Sequence, residues 1–304
     1  MRFFSTIKVV MKGYIVVNPF KMPTESAHQA ERLKEEFNIL GVSVEIVSDA
    51  YLCGAICGGK VISSLSQADF IIYLDKDKYQ SEILSNLGVR LFNTHQAVRL
   101  CDDKGTTYIA LANKGLNLPD TIFGALCYSK DLEIDAKAVD KIESTFNYPI
   151  VVKESFGSMG KGVYLVSDRK ELLSVMEKVK VKPHLFQRYY GAKRGVDVRV
   201  IVIGQKAICA MERINLTDFR SNVAQGGGGK IIELTDEFRR SAECCAKILG
   251  LDYCGVDLLY GDDGEPIVCE VNSNAFFTGM EKTTGFNVAK AYAEYVVKEI
   301  QKNT

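Results

Sequence analysis

Two acids and an amide toward the C-terminal end of the chain could bind a divalent metal ion. In VCEVNSNAFF, residues 268–277, Glu270 and Asn272 are two positions apart and therefore share one face of a strand. The preceding apolar run, GVDLLY, carries Asp257. Two carboxylates and an amide oxygen form the all-oxygen ligand set that suits Mg²⁺. The alternative is that these polar side chains face solvent at the edge of a sheet.

The turn GDDGEP between these two runs predicts how the strands pair. Pairing outward from a six-residue turn places Tyr260 opposite Ile267 and Asp257 opposite Glu270. Opposed residues share a face of the sheet, so the two carboxylates would be neighbours. Carboxylates about 5 Å apart repel by roughly 3 kcal/mol at an effective dielectric of 20. A bound cation, or protonation of one acid, would offset that repulsion.

A second group of residues could bind phosphate. Lys153 ends the apolar run PIVV, and the loop after it contains Gly157, Ser158, Gly160 and Gly162. Glycines let backbone N–H groups approach phosphate oxygens closely. The loop is neither a Walker A motif nor a dinucleotide fingerprint, because a strand rather than a helix follows it. We predict the tip of a β-hairpin that closes over a triphosphate; an ordinary mobile turn is the alternative.

Three further stretches are weaker candidates. In LFQRYYG an extended backbone at 187–189 could lie against an adenine ring, or the stretch could be a simple crossover strand. In GVDVRV, Asp197 and Arg199 share a face and could contact a ribose and a phosphate, or form a surface ion pair worth less than about 1 kcal/mol. In DFRSNVAQGGGGK, Arg220 could bind anionic oxygens bidentately, or the stretch could be a disordered surface loop.

Alternating strand and helix patterns would position these groups. Residues 13–93 alternate between the two patterns, which predicts a small doubly wound parallel sheet. Antiparallel signals begin near Thr121, so the fold class is α/β with α+β character in the C-terminal part. We expect three parts: a small α/β domain at 1–100, whose first ten residues are an extension, a lid with the glycine-rich hairpin at 101–187, and a subdomain with the metal site at 188–304.

Composition and charge argue against several classes of protein. The 304 residues include 38 basic and 38 acidic side chains, so no dominant nucleic-acid-binding surface is expected. No run approaches the ~20 apolar residues needed to cross a bilayer, and the first residues are too short and too polar for a secretory signal. The nine cysteines lack zinc-type spacing, which favours reduced thiols and a cytoplasmic location.

Together these stretches resemble the ATP-grasp superfamily, and specifically its RimK-type α-L-glutamate ligases. From Asp102 to the C-terminus the resemblance is carried, in one continuous order, by DDK, PIVVKESFGSMGKGV, FQRYY, GVDVRV, DFRSNVAQGGG, GVDLLY and CEVN with GMEKTTG. The N-terminal part is similar only in architecture, as the small α/β domain that precedes ATP-grasp domains. The chain departs from the family pattern at Arg188, where an acid is common, and at Ala275-Phe276-Phe277, which replaces the usual Pro-Gly.

The resemblance implies a role for each candidate residue. The nucleotide would be bound by Lys104, Lys153, Ser158, Gly160, Gly162, Gln187, Arg188, Tyr189, Asp197, Arg199, Arg220, Ser221 and Asn222. Lys153, Arg220 and Asn222 would act on the transferred phosphate as catalytic residues. Asp257, Glu270 and Asn272 would hold one or two Mg²⁺ ions, or Mn²⁺ in their place.

The implied activity is ATP-dependent ligation of a carboxylate to an amine through an acyl phosphate. Glutamate or a similar α-amino acid would be added to a protein C-terminus, a carrier protein or a coenzyme. We expect no nucleic-acid or membrane partner, and a homo-oligomer. The alternatives are an ATP-grasp phosphotransferase acting on a small molecule and a nucleotide-binding regulatory module without turnover.

Overall fold

The computed structural model describes residues 11–20, 24–48, 54–221 and 228–302. The chain forms two compact units, which differ from the three parts expected above in how they divide the sequence. The first unit contains Met1–His95, Phe276–Thr278 and Asn287–Thr304, and the second contains Gln96–Ala275 and Gly279–Phe286. The separation of a lid from a metal-binding subdomain stays a prediction.

The first unit is built on a parallel sheet, as its alternating sequence pattern predicts. Its strands lie in the order β2-β1-β5-β6, and every pairing among them is parallel. The central strands GYIVV and FIIY are buried at every residue, which is typical of parallel strands covered on both faces. The elements are β1 Gly13–Val17, α1 Thr24–Ile39, β2 Val44–Ser48, β3 Ala55–Cys57, β4 Lys60–Ile62, β5 Phe70–Tyr73, α2 Lys78–Asn86 and β6 Leu91–Phe92.

The last helix of the chain, α9 (Val288–Lys302), also belongs to the first unit, where it packs against α1. Its buried face includes Tyr292 and Val296, which are one turn apart. The hydroxyl of Tyr292 donates a hydrogen bond to the carbonyl of Phe92 at 3.3 Å. Among the described residues, no helix has both the length and the apolar character that a membrane span requires.

One half of the second unit is an antiparallel sheet covered by two helices. Its strands are β7 Thr121–Phe123, β8 Ile150–Glu154, β9 Val163–Val166 and β10 His184–Arg188, in the order β7-β10-β8-β9. The helices α5 (Ala136–Thr145) and α6 (Arg169–Val179) supply apolar residues at helical spacing, such as Leu172, Val175 and Met176, to one buried cluster. The glycine-rich loop therefore connects two paired strands, as predicted.

The other half of the second unit is an antiparallel sheet with the order β13-β12-β11-β14-β15. Its strands are β11 Val196–Ile203, β12 Lys206–Ile214, β13 Gly228–Ile231, β14 Tyr253–Tyr260 and β15 Pro266–Asn272. The buried face of helix α7 (Asp236–Leu249) shares a core cluster with this sheet. This helix begins after the N-cap Thr235 and ends at Gly250, whose φ of 67° is left-handed. The remaining helices are α3 His95–Asp102, α4 Lys104–Leu111 and α8 Thr278–Thr284.

The hairpin of β14 and β15 differs from the predicted pairing next to its turn. Tyr260 pairs with Pro266, so the prediction that it lies opposite Ile267 is wrong. The turn is one residue shorter than expected and runs from Gly261 to Glu265, because the Gly261 N–H donates to the Glu265 carbonyl at 2.8 Å.

Farther along the hairpin, the predicted pairing of Asp257 with Glu270 is confirmed. The register shifts by one residue between Asp257 and Leu258, because β15 contains one extra residue, Cys269. The apolar side chains on either side of this bulge, Val268 and Val271, are three positions apart and both reach the same core cluster. The bulge therefore keeps two valines in the core and leaves Glu270 opposite Asp257.

Candidate functional site

Asp257 is buried between two arginines, Arg199 on the neighbouring strand β11 and Arg213 on β12, the next strand beyond it. Arg199 donates to it in a bidentate manner, from Nε to Oδ1 and from Nη2 to Oδ2, both at 2.7 Å. Arg213 places its Nη2 atom 3.0 Å from Asp257 Oδ2. Only 3% of Asp257 is exposed, and this burial alone would raise the pKa of its carboxyl. The two guanidinium groups outweigh burial and hold that pKa below its ordinary value.

Arg213 links Asp257 to Asp197, and the sequence patterns above did not single it out. Its Nε donates to Asp197 Oδ1 at 2.7 Å, and its Nη2 donates to Asp197 Oδ2. Burial would lower the pKa of Arg213, but the two aspartates raise it above the ordinary value, so the guanidinium stays charged. The available signal was the pairing of the two strands, because Asp197 on β11 lies directly opposite Arg213 on β12.

The structure brings the other two predicted metal ligands to the same place. Asn272 donates from Nδ2 to Asp257 Oδ2 at 3.4 Å, and Glu270 lies opposite Asp257 in the register. The Glu270 side chain is 31% exposed, and its Oε1 atom is 3.3 Å from the Lys104 ammonium nitrogen. The three oxygen-bearing side chains therefore share one face of the hairpin, as the sequence predicts.

Helix α4 positions the first of the two predicted phosphate lysines. Asp103 caps this helix by accepting the Gly105 N–H at 2.8 Å, and the Lys104 N–H donates to the Ser155 carbonyl at 3.0 Å. The Lys104 ammonium donates to the carbonyl of Gly157, in the glycine-rich loop, at 2.9 Å. One turn later on the same helix face, the hydroxyl of Tyr108 contacts β15.

Lys153, the second predicted phosphate lysine, is 8% exposed at the end of β8. Its Nζ atom lies 3.5 Å from the Tyr108 hydroxyl and 3.9 Å from the Cys269 sulfur. Burial would lower the pKa of Lys153, but Cys269, Tyr108 and Glu270 together raise it above the ordinary value. Burial raises the pKa of the Cys269 thiol, which Lys153 opposes in part. The lysine is thus a buried cation beside the predicted metal ligands.

The glycine-rich loop lies against predicted phosphate-binding cations. Its backbone needs left-handed angles at Gly160 and Gly162, where φ is 73° at each. The Gly160 carbonyl accepts a hydrogen bond from Arg220 Nη1 at 2.8 Å, as the Gly157 carbonyl does from Lys104. Peptide oxygens of the loop therefore bind two of the donors that the sequence assigns to phosphate oxygens. Ser158, between them, is exposed.

Arg220 is also paired within its own loop. Asp218 accepts from its Nε at 3.0 Å and from its Nη2 at 2.7 Å. The side-chain hydrogen bonding of Arg220 to the Asp218 carboxylate is the main reason that the pKa of Arg220 is raised, and the same pairing lowers the pKa of Asp218. Ser221 is buried next to it, and Asn222 lies outside the described residues. The catalytic roles of Arg220, Lys153 and Asn222 stay predictions.

The predicted adenine-binding residues, 187–189, lie at the end of strand β10 and directly after it. Gln187 is buried, and its Nε2 donates to Thr121 Oγ1 at 2.9 Å. The exposed Arg188 pairs with Asp262 at 2.5 Å. The hydroxyl of Tyr189 is buried and has no hydrogen-bond partner among the described residues. The adenine contacts stay a prediction, as does the ribose contact of Asp197, whose carboxylate is bound by Arg213.

The net charge of the side chains around Asp257 and Lys153 suits the binding of a polyanion. Within the described part of the chain, these side chains include four cations, Lys104, Lys153, Arg199 and Arg213, and three carboxylates, Asp197, Asp257 and Glu270. The one-charge excess of cations, in a site sheltered from water, favours a ligand that carries several negative charges.

The same residues also fit Mg²⁺, provided that phosphate oxygens complete its coordination. Asp257 Oδ1 accepts one hydrogen bond, from Arg199, and a carboxylate oxygen has capacity for two. Asn272 uses its Nδ2 toward Asp257, which leaves its carbonyl oxygen for a cation. Across the described residues, no group of three or more histidine, cysteine, aspartate or glutamate side chains could hold a metal ion by itself. Two carboxylates completed by phosphate oxygens and water are a usual arrangement for Mg²⁺.

The model of the RimK-like ATP-grasp domain matches residues 101–296. The chain belongs to this family. Its site residues, from Lys104 to Asn272, all lie within the matched range, and the ATP-grasp fold predicted from the sequence is confirmed.

Relatives of this ATP-grasp chain include enzymes named for glutamate. Human β-citrylglutamate synthase B is 38% identical over 216 residues, which cover 70% of this chain and 54% of that protein. A probable α-L-glutamate ligase of Maridesulfovibrio salexigens is 37% identical over 219 residues, covering 71% of this chain and 69% of that protein. The chain thus spans little more than half the length of the human relative.

Among solved structures, D-alanine–D-alanine ligase from Bacillus anthracis in complex with ATP has the same fold. The TM-score is 0.72 at 19% identity, and the match covers 97% of this chain and all of that chain (100%). At this level of identity the likeness shows the fold alone.

Proposed function

We propose that the chain is an ATP-dependent ligase that joins a carboxylate to the amine of an α-amino acid. The observation that carries this proposal is the shared face of Asp257, Glu270 and Asn272, with the ammonium groups of Lys104 and Lys153 beside it. Divalent-metal ligands next to buried cations suit the polyphosphate of a nucleotide. The named activities of the curated relatives support glutamate, or a similar amino acid, as the amine.

Each group of residues would have a distinct task in this reaction. Lys104 and Lys153 would bind phosphate oxygens, and Arg220 would offset the charge that develops on the transferred phosphate. Asp257, Glu270 and Asn272 would hold Mg²⁺, which supplies positive charge to the phosphates when it is bound.

The reaction would take place in two steps. In the first, an oxygen of the acceptor carboxylate attacks the γ-phosphorus of ATP, the bond to ADP breaks and an acyl phosphate forms. In the second, the amine attacks the acyl carbon, phosphate leaves and an amide bond remains. The glycine-rich loop that carries Gly157 and Gly160 would exclude water, which would otherwise hydrolyse the acyl phosphate.

The partners of the proposed enzyme follow from this chemistry. The acceptor would be a carboxylate on a protein C-terminus, a carrier protein or a coenzyme, and the metal would be one or two Mg²⁺ ions, or Mn²⁺ in their place. We place the reaction in the cytoplasm, where thiols stay reduced, and expect a homo-oligomer that binds neither nucleic acid nor membrane.

The products of ATP turnover test the proposal. The protein is incubated with ATP, Mg²⁺ and pools of amino acids and carboxylates, and ADP, free phosphate and hydroxylamine-trapped hydroxamate are measured. A ligase releases phosphate and gives a hydroxamate in proportion to ADP. Release of ADP with a phosphorylated product and no free phosphate would indicate a phosphotransferase, and no ADP at all would indicate a binding module. Glu270→Gln should abolish turnover, whereas Glu45→Gln, an exposed change on β2, is the matched control.

A further inference from the structure

The hydroxyl of Tyr108 bonds to the residue that forms the β-bulge in β15. Tyr108 is 5% exposed, and its Oη atom donates to the Cys269 carbonyl at 2.5 Å. Along Pro266–Asn272, all of which the structure describes, Cys269 alone has no register partner on β14. A bulge leaves the backbone groups of one residue outside the ladder, and buried carbonyls require a donor. Tyr108 supplies that donor from helix α4.

The position of the bulge decides which side chain faces Asp257. The pairing that starts at Tyr260 and Pro266 would, without a bulge, continue to place Asp257 opposite Cys269. A shift of one residue moves every later side chain to the other face of the strand. Glu270 would then turn toward the core side. An extra residue held at Cys269 is therefore what puts Glu270 on the face that carries the predicted metal ligands.

Helix α4 contacts two successive residues of strand β15, Cys269 and Glu270. Lys104 lies 3.3 Å from Glu270 Oε1, and Tyr108, one turn later, bonds to the preceding carbonyl. The Tyr108 hydroxyl is also 3.5 Å from the Lys153 ammonium. A single hydroxyl thus contacts both the backbone that precedes a predicted metal ligand and a predicted phosphate-binding cation.

We propose that Tyr108 is a positioning residue that fixes the bulge at Cys269 and so orients Glu270 for Mg²⁺–nucleotide binding. The proposal rests on the proposed function for its consequence, because the metal and the nucleotide are its intended ligands. Its structural part concerns only the protein, and can be tested with no ligand present.

Amide hydrogen exchange of the free protein tests the structural part. Tyr108→Phe removes the hydroxyl and keeps the ring, and exchange of the Glu270 and Val271 amides should become faster on the order of tenfold, as expected for one lost hydrogen bond. Tyr148→Phe, which removes a hydroxyl bonded to Glu143 in the same unit, should leave these amides unchanged. Equal exchange in Tyr108→Phe and wild type would overturn the proposal.

ADP binding measured with and without Mg²⁺ tests the functional part. Mg²⁺ should increase the affinity for ADP, and in Tyr108→Phe this increase should be smaller by a factor of about 10 to 100 than in the wild type. Such a factor is the usual effect of losing a group that orients a metal ligand. Binding of ADP without Mg²⁺ should change by less than about twofold. A wild-type gain that the variant retains in full would contradict the proposal. If the wild type shows no Mg²⁺-dependent binding, the proposed function fails, and the exchange experiment alone decides the role of Tyr108.

Deletion of Cys269 separates the bulge from other roles of the hydroxyl. The shortened strand reads Val268, Glu270, Val271, which restores strict alternation and keeps both valines toward the core. In this background Tyr108→Phe should have no effect on exchange of the neighbouring amides. If Tyr108→Phe alone does not fold, recovery of folding in the double variant supports the proposal. A double variant that unfolds although the deletion alone folds would refute it.

Discussion

Replacing Arg213 with methionine should destabilise the second unit by about 3–5 kcal/mol, the usual cost of removing one partner from a buried ion pair. Arg213 is 4% exposed and makes charge-assisted hydrogen bonds to two carboxylates. Methionine fills much of the same space without a charge, so the decrease in the free energy of unfolding results mainly from the missing positive charge. Asp197 loses its bidentate partner, whereas Asp257 keeps Arg199 at 2.7 Å.

The size of the effect follows from which carboxylate is left unpaired. Hydrogen bonds to charged groups contribute about 1.5–3 kcal/mol each, and Arg213 makes two to Asp197. Both lie in a region sheltered from water, where an uncompensated charge costs several kcal/mol. Replacing both partners, as in Arg213→Met with Asp197→Leu, removes that uncompensated charge. The double variant should therefore be more stable than Arg213→Met alone by about 1 kcal/mol or more.

Urea denaturation followed by circular dichroism measures these differences as shifts in the midpoint. Arg169→Met is the matched control, because Arg169 also pairs with two acids, Asp140 and Glu143, but on an exposed helix surface. Its midpoint should coincide with that of the wild type, because exposed ion pairs contribute little. If Arg213→Met and Arg169→Met unfold at the same urea concentration, the buried pairing of Arg213 has no energetic weight and the reasoning is refuted.

Three further outcomes are expected. Glu270→Gln should lower phosphate release by at least about a hundredfold, equivalent to about 2.7 kcal/mol, with an unchanged circular dichroism spectrum; activity near the wild-type level would remove Glu270 from the metal site. Burial would raise the pKa of Asp257, but its two arginines hold that pKa below the ordinary value. The charged carboxylate therefore stabilises the folded state at pH values above about 3.9, the pKa of an aspartate in the unfolded chain. This stabilisation is lost as the pH falls and the carboxylate becomes protonated. Asp257→Asn should therefore cost more stability at pH 7 than at pH 2 in urea titrations, and an equal cost at both would contradict this. Lys104→Met frees the Gly157 carbonyl, so limited proteolysis should cut the glycine-rich loop faster than in the wild type, and ADP affinity should fall on the order of tenfold; an unchanged cleavage rate would show that Lys104 does not hold the loop.

The pairing of Asp257 with Glu270 was predictable, although two steps of the prediction were wrong. The turn was expected to contain six residues and contains five, and the strand was expected to be regular and has a bulge at Cys269. The two differences cancel at Asp257. Strand periodicity and an apolar pattern define which residues face the core, whereas a bulge depends on contacts from elsewhere in the fold. Here the spacing of Val268 and Val271, both buried, was the available signal.

Residues that act through pairing between distant elements could not be recognised from local patterns. Tyr108 contacts Cys269, which is 161 positions away in the sequence. Arg213 stands in AMERI, where an adjacent glutamate and arginine among apolar residues are also compatible with an exposed edge. Its role depends on the register that sets it opposite Asp197. Lys153 was recognisable because it ends an apolar run beside a glycine-rich loop, and the metal ligands were recognisable from strand alternation and from pairing across the turn. Lys104 was assigned only through the family resemblance.

The packing of α9 against α1 affects how the chain folds during synthesis. Roughly 250 residues separate the end of α1 from the start of α9, and at about 5–20 residues per second the ribosome needs about 12–50 s to make them. During that interval α1 lacks the helix that packs against it in the finished first unit. The second unit includes Gly279–Phe286, so it too is complete only shortly before α9 is made. Until α9 is made, the surface of α1 that it packs against is therefore open to aggregation in the nascent first unit.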